Sequence, residues 1–158
     1  MTKYLLVGVD NPYSDRRSDA LHPKFPGSTG ERLWRMTGLT EAQYVRVFVR
    51  DNLFMSHEKS RSVERRRQAA RAVIHRLNGR YAIPDIWVVA LGKTVAAAFG
   101  MSDTQAPLVW AGRTVLVPHP SGLNRWYNDP SNVTRATEFM RRVARSAVRA
   151  TSRRGRCQ

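Results

Sequence analysis

The chain is poor in cysteine, in acidic side chains and in long apolar runs, and each shortage removes a class of function. Its only cysteine, Cys157, stands one residue from the end of the sequence. That excludes an internal disulfide and any iron–sulfur cluster held by several thiolates. Any chemistry is therefore expected to need no metal and no other cofactor. No apolar stretch approaches the roughly 20 residues needed to cross a bilayer, and residues 1–9 are too short for a secretory hydrophobic region with its cleavage site. The expectation is a cytoplasmic monomer without membrane contact. Asp and Glu number 12 against 27 Lys and Arg, a formal net charge of +15. Arg dominates Lys in that excess, and its planar fork suits phosphate oxygens. A polyanionic partner follows, most simply nucleic acid. Genomic base content could also enrich a solvated surface in arginine, although so large a charge binds nucleic acid at low salt in either case.

What is present describes one ordered domain. The 158 residues are 42% hydrophobic, enough for a single core over residues 1–150, with a basic tail at 151–158 expected to be disordered. "KYLLVGV" (3–9) reads as a strand buried on both faces, followed by a long loop over 11–28 rich in Asp, Ser, Pro and Gly. A helix is expected over 29–37 with Thr29 as its cap, and a short helix from Thr40. "VRVFVRDNL" (45–53) alternates like a strand, and "SVERRRQAARAVIHRLNG" (62–79) is the clearest helix, with Val63, Ala70, Val73, Ile74 and Leu77 at core spacing. "DIWVVALG" (85–92) reads as a buried strand running into the small-residue helix "KTVAAAFG". "RTVLVPHPSGLNR" (113–125) is a strand ending in a turn, and a last helix spans about 131–149. Alternating strands and helices predict an α/β three-layer sandwich whose central sheet is mostly parallel. In such sheets ligands bind beyond the carboxyl ends of the strands. Three polar clusters sit there: Asp10-Asn11-Pro12, Asp51-Asn52 and His119-Pro120-Ser121.

These clusters, in this order, resemble the motifs of the uracil-DNA glycosylase superfamily. Its first motif, Gly, a variable residue, Asp or Asn, then Pro, corresponds to Gly8-Val9-Asp10-Asn11-Pro12-Tyr13. Its aromatic residue before a Gly-x-x-Gly turn corresponds to Phe25 with Gly27 and Gly30. Its strand ending in Asn corresponds to Asn52, and its His-Pro-Ser motif with an apolar wedge to His119-Pro120-Ser121-Gly122-Leu123. The likeness runs from about Lys3 to Phe139. Each motif alone is weak; their order and setting carry the resemblance.

The resemblance implies an enzyme that flips a nucleotide out of DNA and hydrolyses the bond between base and deoxyribose. Leu123 would fill the vacated stack, while Ser121, Gly122 and Arg125 would hold backbone phosphates. Phe25 would stack on the flipped base and the Asn52 amide would read its edge. His119 would hydrogen-bond the departing base as it becomes anionic. The first motif carries an extra residue. Counting from Gly8 makes Asp10 the water-positioning group, able to act as a base; counting back from Pro12 makes it Asn11, which the local proline turn favours. Tyr13 occupies the place from which a tyrosine excludes a methyl group on the base. The long loop could instead make room for a bulky substituent, so the target is uracil or a modified pyrimidine such as a hypermodified cytosine of phage DNA.

Other readings use the same residues. Leu123 could be a core leucine, Phe25 ordinary core, and Asn52 a turn cap. The chain could be a nonenzymatic nucleic-acid binder that keeps the fold, or an RNA-binding protein stacking bases on Trp126 and Tyr127. An enzyme of free nucleotides fits less well, because the "GVDNPYSD" loop is acidic and lacks a Gly-rich phosphate cradle.

Overall fold

The computed structural model describes residues 2–81 and 85–152. Five strands form one sheet in the order β2-β1-β3-β5-β4. These are β1 (Lys3–Gly8), β2 (Phe48–Asn52), β3 (Ile86–Leu91), β4 (Trp110–Ala111) and β5 (Thr114–Val117). The first three pairings across this order are parallel, and β4 joins β5 as an antiparallel edge hairpin. Alternation along the central strands sends side chains into two cores. Leu6, Val89, Leu91, Val115 and Val117 meet α1 (Thr29–Thr37), α2 (Glu41–Val47) and α5 (Pro130–Ser152) on one face. Leu5, Val7, Val88, Ala90 and Leu116 meet α3 (Val63–Leu77) and α4 (Lys93–Ala98) on the other. Central strands buried on both faces explain their continuous apolar runs. The layers and the mostly parallel sheet are those the sequence predicts.

Several boundaries differ from expectation, each for a local reason. Ser28 caps α1 by accepting from the Glu31 amide, so Thr29 lies inside the helix with its hydroxyl free for another partner. Residues 45–47 are helical because Thr40 and Gln43 form a capping box and bury Tyr44 and Val47 one turn on. The strand begins only at Phe48. Val63 is exposed, since it opens α3 before that helix reaches the sheet. The hairpin strand β4 falls where a loop was expected. The last helix runs from Pro130 to Ser152, so Thr151 and Ser152 are helical rather than tail. The rest of the predicted tail, 153–158, lies outside the described residues. Among the described residues no helix is long and apolar enough to cross a membrane.

The order β2-β1-β3 sends the chain from β1 to one neighbour and later from β2 across to the other. In doubly wound sheets such a reversal is the place where ligands bind, beyond the carboxyl ends of the strands.

Candidate active site

The first strand ends because Asn11 turns the chain. Its Oδ1 accepts from the Tyr13 amide at 3.0 Å, an Asx turn, and its Nδ2 donates to the Asp19 carbonyl at 3.2 Å. The loop that follows is built rather than slack. A single 3-10 turn, Arg17–Asp19, presents the buried Asp19 carboxylate to Lys24 and to the Ser14 hydroxyl at 2.7 Å. These partners, Lys24 first, hold the Asp19 carboxyl below its ordinary range. Ala20 and Leu21 dip into the core. There the Ala20 carbonyl accepts from Arg50 at 3.0 Å and the Leu21 carbonyl from the Tyr44 hydroxyl at 3.2 Å. Leu21 has φ +50°, a conformation costing of order 1–3 kcal/mol that persists only where its surroundings fix it.

Gly30 supplies part of that fixing. A methyl group there would stand 2.5 Å from the Leu21 carbonyl carbon and 2.7 Å from the His22 oxygen. Only glycine lets α1 lie directly against this backbone. The start of α1 and the loop then face each other across a cleft of about 480 Å³, lined by Asp10, Asn11, Tyr13, Phe25, Thr29 and Ser121 among others. That size is ordinary for a small-molecule or single-nucleotide pocket.

Across from Asp10, β5 delivers His119. Its ring packs against Gly92, where a methyl group would lie 3.3 Å from the His119 Cβ, and its Nε2 lies 3.4 Å from Thr29 Oγ1. Burial lowers the affinity of His119 for a proton; Asp10 opposes that shift and Arg32 adds to it. That balance favours the neutral ring. Its turn is braced from below. Asn124 Nδ2 donates to the His119 carbonyl at 2.9 Å, and the Tyr127 hydroxyl donates to the Pro118 carbonyl at 2.6 Å. Trp126 packs edge-on against Tyr127 at 4.9 Å. Asp10 keeps its carboxylate at the cleft, with Lys59 Nζ 3.8 Å away.

Asp10, Asn11, Tyr13, Phe25, Ser121, Gly122 and Leu123 thus share one cleft. Tyr13 and Phe25 stack on each other, centroids 5.6 Å apart and planes 15° apart. Leu123 is 94% exposed, which removes the core reading of that residue. Arg125 is exposed nearby. Asn52 does not line the main cleft. It faces a cavity of about 10 Å³ beneath the loop, shared with Asn11. Its buried Oδ1 has no hydrogen-bond partner among the described residues, and Gly8 makes room for it. Asp51 beside it is structural: Arg76 bonds its carboxylate through Nε at 3.0 Å and Nη2 at 2.8 Å. The sequence reading missed Thr29 and Arg32. Both lie on one face of α1, three residues apart, and that spacing was the available signal.

Fold and cleft together define an α/β protein with a carboxylate, Asp10, at a cleft beyond the end of β1 and a half-buried histidine, His119, in the turn after β5. Comparisons with protein-family models, with curated proteins and with solved structures find no match. Among the described residues no group of His, Cys, Asp and Glu could hold a metal ion.

Proposed function

We propose that this chain is a monofunctional DNA glycosylase that flips out a uracil-like or modified pyrimidine and hydrolyses its N-glycosidic bond. The observation that carries this reading is an almost fully exposed leucine, Leu123, on the rim of a cleft that also holds Asp10, with the half-buried His119 behind its wall. Single exposed leucines are common on protein surfaces; what fits a DNA-distorting wedge is the place of this one, on the rim of a polar cleft.

Asp10 is the water-positioning group in this reading. The Asn11 amide is already spent at both ends on the loop, while the Asp10 carboxylate has only a lysine at 3.8 Å. The glycosidic bond breaks with its electron pair leaving on the base, and positive charge builds on the sugar. Asp10 stabilises that charge and takes a proton from the water that bonds to C1′. A neutral His119 donates a hydrogen bond to the base oxygen, and the base collects its proton from solvent. The long Thr29 contact is one that a ligand can replace.

Phe25 offers a stacking face. Parting it from Tyr13 costs about 0.5–1.5 kcal/mol, less than or comparable with the roughly 1–3 kcal/mol that base stacking returns. Asn52 lies behind the loop on a cavity of about 10 Å³, so reading a base edge there requires the loop to move. The test is product identity. Matched oligonucleotides carrying uracil, hydroxymethyluracil, hydroxymethylcytosine or its glucosylated form should yield free base and an alkali-labile abasic site from one of them. Tight, salt-sensitive binding with no base released from any would favour the nonenzymatic nucleic-acid binder.

A further inference from the structure

Among the described residues Arg32 is the only lysine or arginine on the cleft wall. Several cations near this end of the sheet are engaged, Arg17 and Arg76 on Asp51, Lys24 on Asp19, Lys59 on Asp10 and Arg35 on Glu31, while Arg16 and Arg125 are exposed to solvent. Arg32 has no carboxylate partner among the described residues, yet it is half-buried. A guanidinium withdrawn from water without a partner is costly unless something else fixes it. What fixes it is the wedge loop. A methyl group on Gly122 would lie 2.8 Å from Arg32 Nη1 and 3.0 Å from Nη2, so the guanidinium end of Arg32 sits close against the Gly122 backbone. Gly122 has no left-handed φ to explain it. The atoms that a Gly122 side chain would meet are those of Arg32.

We infer that Arg32 is a phosphate-binding residue, its fork set against Gly122 to clamp one phosphate of the DNA strand next to the flipped nucleotide. The chemistry fits, because a planar fork with unused donors binds two phosphate oxygens at once. The Ser121 hydroxyl lines the same wall, and Leu123 follows directly in the chain. A clamp here couples backbone grip to wedge insertion. The inference rests on the reading of this cleft as a DNA site.

The test is binding by the full chain, without catalysis, to a short duplex carrying a tetrahydrofuran abasic analogue. Single methylphosphonate linkages, which remove one charge each, are placed in turn on either side of the lesion. Arg32→Gln is expected to weaken binding to the natural duplex at least fivefold and to lower the slope of log K against log salt by about 0.9. One methylphosphonate position should weaken the wild type by a similar factor and leave Arg32→Gln unaffected, the signature of a shared contact. Gly122→Ala should lose sensitivity at that same position, since its methyl displaces the fork. Arg32→Lys, which keeps the charge, should keep the salt slope and bind more weakly. Equal sensitivity of wild type and Arg32→Gln to every linkage, or an unchanged salt slope, would make Arg32 a brace for the loop and overturn the clamp. Base release by wild type without any linkage coupling would remove the clamp alone. Coupling without base release would remove the glycosylase reading and keep the clamp. No binding to the lesion duplex would remove both.

Discussion

Adjacent residues Asp10 and Asn11 look interchangeable in the sequence and hold different positions in the molecule. Asn11 is the hinge of the loop, with two hydrogen bonds each worth roughly 0.5–1.5 kcal/mol net. Asn11→Ala is therefore expected to lower unfolding stability by about 1–3 kcal/mol in urea titration. Asp10→Asn should leave the urea midpoint close to wild type and abolish base release; a variant with full turnover would remove Asp10 from the chemistry. His119 sets a pH dependence. Burial lowers its proton affinity, and that of His22, below the ordinary value of 6.5. The unfolded chain then binds more protons than the folded one as pH falls through about 6.5, so stability drops on acidification and is fully present above it. Urea midpoints at pH 7.5 and 5.5 should differ less in His119→Gln than in wild type. An equal difference in both would mean that His119 titrates freely.

At the scale of elements, the site depends on how α1 meets the loop. Gly30→Ala puts a methyl group 2.5 Å from backbone, not from a side chain that can rotate away. It should cost about 1–3 kcal/mol as an overpacked contact, with the helix pushed from the cleft and base release lost together. A thermal melt at the wild-type temperature would contradict that packing. Leu123→Ala is expected to do the reverse. Exposed as it is, the side chain should change stability by less than about 0.5 kcal/mol, while base release from duplex falls and release from single strands, which need no wedge, is spared. These interactions also show what the sequence could express. Central strands were legible because they are buried on both faces, and Leu123 was legible as exposed from its Gly and Asn neighbours. The border of α2 and β2 was not, since Val45 to Phe48 fit either period and a capping box decides. Nor was Arg32, because nothing local in "TGERLWR" says that this arginine lies against a glycine some 90 residues later.

At the scale of the molecule, strand order makes the site. Placing β1 between β2 and β3 brings the end of the first strand near the turn after β5, and two of the three polar clusters meet at one cleft. The third, Asp51-Asn52, stays behind the loop as an ion-pair anchor and an unpartnered amide oxygen. The whole chain carries a formal net charge of +15, so on the proposed reading DNA affinity should fall steeply with salt whatever the sequence. The most direct experiment is single-turnover base release, read as alkali-labile strand breaks, on duplexes carrying each candidate pyrimidine, with wild type and His119→Ala side by side. The expected result is cleavage of one substrate by wild type and a rate roughly 100- to 1,000-fold lower in the variant. A folded His119→Ala protein that releases the base at the wild-type rate would contradict the assigned site.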